Sequence, residues 1–230
     1  MKVPLPKATG GGVLKDWVGA SLREAILQGY FRPGEKLDQD LIAEELDVSR
    51  TPVREAVMVL EAEGFVEVRP RRGAFIVTLS RQDIRDVCEI RGLLEAEAVR
   101  QVTPQVPESV LDKMKRSLDE TQARFEAGDV AGHFESDVFF HETIISLAEN
   151  KLLQEMLGSL TNRIARLRHF AQLQPGQHLV ESFQEHRTIL QAMRRRDAEA
   201  AAEAMRVHLH KSALRLQEFV PQEAGQPETA

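Results

Sequence analysis

Four side chains in the second half of the chain have the types and spacing to hold a divalent metal ion: Asp137, His141, His186 and His208. Asp137 and His141 stand i,i+4, so on a helix their side chains meet. Each of the four lies on an apolar stripe of helical period. The stripes are Phe134, Asp137, His141, Ile144, Ala148; then Leu179, Phe183, His186, Leu190, Met193; then Ala201, Ala204, Met205, His208. A polar group midway along a buried stripe costs free energy unless it finds partners. His186 precedes Asp197 by 11 residues and His208 follows it by 11, so a helical hairpin turning at Asp197 brings both to one level. Three imidazoles and a carboxylate in one layer suit a divalent transition metal, zinc first, with nickel or manganese as alternatives. Taken singly, each histidine also reads as a hydrogen-bonded core residue, and only their convergence points to a metal. His133, i,i+4 to Asp137, is the rival ligand. His210 is expected to face outward and His178 to lie in a loop.

A second set of residues is basic. Arg50 and Arg54 stand i,i+4 near the start of a helix, and Arg71-Arg72-Gly73 occupies the tip of a turn. Arginine is the natural reader of guanine O6 and N7. An arginine pair on a glycine-bearing tip suits phosphate or minor-groove contact.

The elements that must position these arginines run through residues 41–77. Leu41, Ile42 and Leu46 supply the apolar side of a short helix, and Asp47-Val48-Ser49 forms a turn around a buried valine. A second helix starts between Ser49 and Thr51, because Pro52 fits only a first helical turn. Its apolar face is Val53, Ala56, Val57 and Leu60, and Gly64 ends it. Val66 and Val68, then Phe75 and Val77, alternate as the inward positions of a two-stranded hairpin. The spacing predicts a winged helix-turn-helix, with one helix for the major groove and a wing for the backbone.

The 230 residues suffice for two modest domains. Residues 1–12 are expected to be a flexible arm and 13–78 the winged helix-turn-helix. Residues 80–218 are expected to be an all-α antiparallel bundle and 219–230 a disordered tail. Six helices are expected in the bundle, over about 81–101, 107–127, 129–148, 150–173, 179–195 and 197–217. Ser80 to Asp83 reads as a capping-box start, and Arg194-Arg195-Arg196 as a solvated cap on a helix C-terminus. The fold class is therefore mostly α.

The net charge of −6 runs against a simple polyanion binder. Residues 1–80 hold 11 Lys+Arg and 12 Asp+Glu. Arg50, Arg54, Arg69, Arg71 and Arg72 nevertheless cluster on what should be one surface, and local field steers DNA. No apolar run approaches the ~20 residues of a membrane span. The start, MKVPLPKATGGG, lacks the apolar core of a signal peptide, and Cys88 is the single cysteine. These features predict a cytoplasmic protein.

Ser49-Arg50-Thr51-Pro52-Val53-Arg54-Glu55-Ala56, Leu60-Glu61-Ala62-Glu63-Gly64 and Arg72-Gly73-Ala74-Phe75 resemble the GntR family of bacterial transcription regulators. The resemblance implies a dimer on a short palindromic operator. Arg50 and Arg54 would read base edges or phosphates, Thr51 would contact the backbone, and the Arg72-Gly73 tip would enter the minor groove. Many family members carry arginine in the first helix where this chain has Asp40. A carboxylate there repels phosphate, so an altered base preference or a lost contact is expected.

Phe140-His141, Asn150, Glu185-His186 and Met205-Arg206-Val207-His208 resemble the C-terminal ligand-sensing (FCD) domain of the FadR-type subfamily. That resemblance implies a metal held by Asp137, His141, His186 and His208. It also implies an effector that is a small carboxylate, such as an organic or sugar acid. Arg91 is the candidate to clamp that carboxylate, or else it pairs with Glu95 at i,i+4. Asn162 and Arg163 are further pocket candidates.

Three functions follow as expectations. The first is a ligand-responsive regulator without enzymatic activity, acting as a repressor. The second is a metal-dependent, hydrolase-like enzyme fused to a DNA-binding domain. It is weakened by the lack of a second base, since Glu185 points about 100° from His186 on its helix. In the third, the bundle is only a dimerisation module.

Overall fold

The computed structural model describes residues 14–128, 132–172, 174 and 177–220. The expected arm lies outside these residues, as does most of the expected tail. Phe219, however, caps the last helix, and the Val220 carbonyl accepts a hydrogen bond from Arg81 Nε at 2.9 Å. None of the described helices is long and apolar enough to cross a membrane.

Packing divides the chain into two units. The first begins with α1 (Leu14–Leu27), which the sequence reading did not single out. There follow β1 (Lys36–Leu37), α2 (Gln39–Glu45), α3 (Arg50–Ala62), β2 (Val66–Arg69) and β3 (Gly73–Ile76). Val18, Leu22 and Ile26 of α1 meet Val53, Val57 and Leu60 of α3 in one apolar cluster. Arg23 of α1 holds both carboxylate oxygens of Glu63, the C-cap of α3, at 2.8 and 2.5 Å. α3 begins at Arg50 with Ser49 as an extended N-cap that makes no side-chain capping bond. Gly64, at φ 78, turns the chain out of the helix.

The wing differs from the expected hairpin in two ways. It has three antiparallel strands in the order β1-β3-β2, with Leu37 opposite Ala74 and Val66 opposite Ile76. In β3 the period of two holds with the opposite phase, whereas in β2 Val66 is buried as expected and Val68 is 42% exposed. Ala74 and Ile76 are buried, while Phe75 and Val77 are half-buried. Phe75 instead lies on the outer face beneath the Arg69 guanidinium, 4.6 Å from its ring centroid, and Phe65 takes the core position. In α2 the buried residues are Ile42 and Ala43, with Leu46 at the C-cap. Leu41 is 45% exposed, and Val48 is only half-buried. Both errors have one cause: periodicity gives a face, but in elements this short only the packed neighbours choose which face is inward.

The second unit contains α4 (Arg81–Val102), α5 (Glu108–Glu126), α6 (Gly132–Leu147), α7 (Lys151–Ser159), α9 (Gln177–Arg194) and α10 (Ala198–Glu218). α4 starts with the expected capping box, Asp83 N–H to Ser80 Oγ at 3.0 Å and Ser80 N–H to Asp83 Oδ2 at 2.9 Å. Leu111, Phe140, Ile189, Met193 and Met205 fill its core.

The helix expected over 150–173 is two helices. α7 is capped by Asn150, whose Oδ1 accepts from Leu153 N–H at 3.1 Å, and ends at Leu160. There the hydroxyls of Ser159 and Thr161 take the carbonyls of Met156 and Gly158 at 2.6 and 2.7 Å, competing with the helical ladder. The next helix, α8 (Thr161–Gln172), packs from Asn162 onward with the first unit, where Ala165 lies against its core.

The arginine run at 194–196 also does more than cap a helix. Arg196, at φ 58, donates to the carbonyls of Thr103 and Val106 at 3.2 and 2.5 Å, and Arg194 pairs with Asp112 at 2.5 Å.

Candidate metal centre and nucleic-acid interface

Asp137, His141, His186 and His208 converge in the second unit. Their candidate ligand atoms all lie within 4.8 Å of one another. α6 supplies Asp137 and His141 from successive turns, α9 supplies His186, and α10 supplies His208. His141 Nε2 is 3.2 Å from His186 Nε2 and 3.6 Å from Asp137 Oδ1, and His186 Nε2 is 3.8 Å from the same oxygen. The turn at Asp197 does what its position implied, bringing the rings of His186 and His208 to 4.5 Å between centroids. Phe140 stacks on His186 at 4.3 Å and closes one side. His141, His186 and His208 are all buried, and Asp137 is half-buried.

Two carboxylates fix the rings. Glu95 of α4 bonds His141 Nδ1, and Glu185 of α9 bonds His208 Nδ1 at 2.8 Å. With each Nδ1 so engaged, the Nε2 lone pair of His141 and of His208 is the one left for a metal. Each carboxylate is itself held by an arginine. Arg91 Nε donates to Glu95 Oε1 at 2.6 Å, and Arg215 grips both oxygens of Glu185 at 2.7 and 2.8 Å.

The electrostatics follow from these pairs. Burial favours a neutral Glu95, yet Arg91 and His141 beside it hold its carboxyl well below the usual range. Burial opposes charge on Glu185 too, but the bonds from Arg215 and His208 hold it down to about 2. Burial lowers His208, whereas for His141 the same penalty is outweighed by Glu95 and Asp137, which raise it. Cys88, buried near this layer on α4, is pushed up to about 11 by desolvation and is unreactive as a nucleophile.

The donor set fits a divalent metal. Atoms 2.0–2.2 Å from a shared ion stand roughly 3.3–4.4 Å apart, close to the spacing found here. Arg91 pairs with Glu95, the second of its two readings, and is only 4% exposed. Its Nη2 is buried and has no hydrogen-bond partner among the described residues. Asn162 and Arg163 lie on α8, and the compact unit that holds the cluster does not include them.

Glu95 and Arg215 were missed as parts of the site. Glu95 was visible as an acid on the inward stripe of α4, one turn after Arg91. Arg215 was legible in the same way, two turns after His208 on the same face of α10. The bases that sequence reading did not find are therefore present, but each is bonded to an imidazole. The side chains of His133 and His178 lie outside the described residues, and His210 is exposed as expected.

The basic set forms a surface in the first unit. Arg50, Thr51 and Arg54 are exposed on the first turns of α3, and Arg71 and Arg72 are exposed at the wing tip. A groove of about 800 Å³ runs between them, lined among others by Lys36, Asp40, Arg50, Arg54, Met58 and Gly73. Lys36, which sequence reading missed, reaches the wing tip from β1. Lys36 Cε lies 2.9 Å from where a Cβ on Gly73 would stand, and Gly73 sits at φ 106, a backbone conformation that favours glycine. Arg69, counted with the cluster, is engaged with Phe75 and Glu67 instead.

Comparisons agree with both halves. Residues 14–76 match the model of the bacterial regulatory proteins of the gntR family, and residues 86–211 match the FCD domain. The Uxu operon transcriptional regulator of Escherichia coli (strain K12) is 32% identical over 222 residues, 88% of this chain and 86% of its own. The HTH-type transcriptional repressor RspR of the same organism is 28% identical over 83% of both chains. A crystal structure of a GntR regulator from Rhodococcus sp. RHA1 superposes with TM-score 0.73 at 27% identity, covering 90% of this chain and 99% of that one.

Proposed function

The chain belongs to the GntR family of bacterial transcription regulators with an FCD domain, and from that premise we propose how its two units divide the work. The families and relatives it matches are regulators of transcription and not enzymes. In our reading the first unit reads a palindromic operator as part of a homodimer, with Arg50, Thr51 and Arg54 in the major groove. Arg71, Arg72 and Gly73 follow the wing onto the backbone or minor groove. A twofold protein matches a twofold site. Two relatives carry the name of a repressor, which favours repression here.

The second unit holds a divalent metal, zinc by preference, on Asp137, His141, His186 and His208. Three neutral nitrogens and one carboxylate leave coordination positions for a ligand oxygen. The effector is a small carboxylate, an organic or sugar acid. The single observation that supports this is Arg91: a buried guanidinium, held at Nε by Glu95, whose Nη2 has no hydrogen-bond partner among the described residues. A buried, unmatched cationic donor beside a metal-type cluster is suited to an anionic oxygen. Asn162 and Arg163 are not part of this proposal. A coupling of only about 1–3 kcal/mol between effector and operator binding would move occupancy 5–150-fold.

The test is metal analysis of the purified protein by mass spectrometry, before and after chelation, with thermal melts against a panel of small carboxylic acids. The expected result is about one divalent ion per chain and an acid-induced stabilisation that disappears on chelation. Protein without metal, and melts indifferent to acids and chelator, would sink the effector reading and leave the DNA-binding one standing.

A further inference from the structure

The groove between recognition helix and wing contains a carboxylate that the reading above leaves without a task. Asp40, in the first turn of α2, forms an ion pair with Nε of Arg50, the first residue of α3. The side chains are 58% and 75% exposed, and pairs this open add little to stability. Both are nevertheless placed by their backbones. Asp38 Oδ1 accepts from the N–H groups of Asp40 and Leu41 at 3.1 Å each, which anchors the first turn of α2. The extended Ser49 then starts α3 at Arg50, bringing the first turns of the two helices together.

A bare carboxylate beside duplex phosphates is repelled, whereas one neutralised by arginine is not. The pairing also changes what Arg50 can do. The Nε side of the guanidinium faces Asp40, and the two terminal nitrogens remain, the pair that matches guanine O6 and N7. Arg54 and Lys36 line the same groove and carry no ion pair among the described residues, so their charge is uncompensated and suited to phosphate. We propose that Asp40 is a specificity-determining residue: it pins Arg50 so that its two terminal nitrogens face one guanine in each half-site instead of swinging to a phosphate. This rests on the DNA-binding reading of the first unit.

The test uses the full chain. An operator is selected from randomised duplexes with the wild type. Binding to that operator and to its single-base-pair variants is then measured for wild type, Asp40→Asn, Arg50→Ala and the double variant. Asp40→Asn should lower discrimination about 10-fold at one guanine position per half-site. It should also raise affinity for unrelated DNA a few-fold, since a negative charge has gone, and leave the thermal melt unchanged. Arg50→Ala should lose discrimination at the same position, and adding Asp40→Asn should then change nothing further there. Asp40→Glu, which keeps the charge, should retain most of the discrimination. Unchanged discrimination in Asp40→Asn would overturn the proposal. So would an equal loss with and without Arg50, because Asp40 would then touch a base itself. A wild type that selects no sequence at all would instead overturn the DNA-binding reading.

Discussion

The two units place their chemistry in opposite ways. In the first, the four arginines and Thr51 assigned to DNA stand exposed at a helix start or a wing tip. The ion pair in the groove, Asp40 to Arg50, is open to solvent. In the second, the three histidines, Glu95 and Arg91 are buried, and two of the rings are fixed through carboxylates that are fixed in turn by arginines. An exposed charge is cheap to place and cheap to change, since water screens it and refills its hydrogen bonds. A buried charge is tolerable only with its partners, so losing one partner leaves another stranded. The first unit can therefore alter its preference by single substitutions without risk to its fold. The metal-type layer must be kept or lost as a set.

The sharpest test of that contrast is Glu95→Ala. It strands the buried Arg91 guanidinium and frees His141 Nδ1 together, so the bundle should lose about 3–5 kcal/mol of stability. Urea unfolding followed by a bundle-specific probe measures it, and a loss below ~1 kcal/mol would show that the layer is not the interdependent set described here. Next in size is the metal. Zinc added to stripped protein at about a thousand times its Kd should stabilise the bundle by about 4 kcal/mol, and His186→Ala should abolish that gain. A variant that kept full metal stoichiometry would remove His186 from the ligand set.

On the other side, Arg54→Ala should weaken binding to the operator by about 1–3 kcal/mol. Stability should change by no more than ~0.5 kcal/mol, and metal content should not change, as gel-shift, melting and metal analysis would show. Coupled losses would contradict the separation of the two units' tasks. The smallest effect belongs to Arg72→Ala or Lys36→Ala, each of which should reduce the slope of log K against log salt by about 0.9. Affinity should fall about equally for operator and unrelated DNA. A loss confined to the operator would make that residue a base reader.

Much of this was legible without coordinates. Pro52 and Gly64 bound α3, Ser80 and Asp83 start α4, and the stripes through His141, His186 and His208 are buried except at Phe134, Asp137 and Ala204, which are half-buried. The equal spacing of His186 and His208 about Asp197 gave their shared layer. Elements of three or more turns repeat their apolar signal often enough to fix a face. Short ones do not, which is why Leu41 and Phe75 were assigned inward and found outward. α8 shows another limit: its sequence continues the helical pattern of α7, and only packing assigns it to the first unit.

The sequence by itself determined the helix-turn-helix, the helical character of the second half, the recognition helix with its arginines, and the four candidate metal ligands, because each is written in local spacing and side-chain chemistry. Only the tertiary structure decided which acids serve which imidazoles, that Arg91 is paired with Glu95 while its Nη2 finds no partner among the described residues, and that Asp40 meets Arg50. Those outcomes depend on which helices become neighbours and at what level. That is settled by the burial of whole faces against one another, and local spacing carries no record of it.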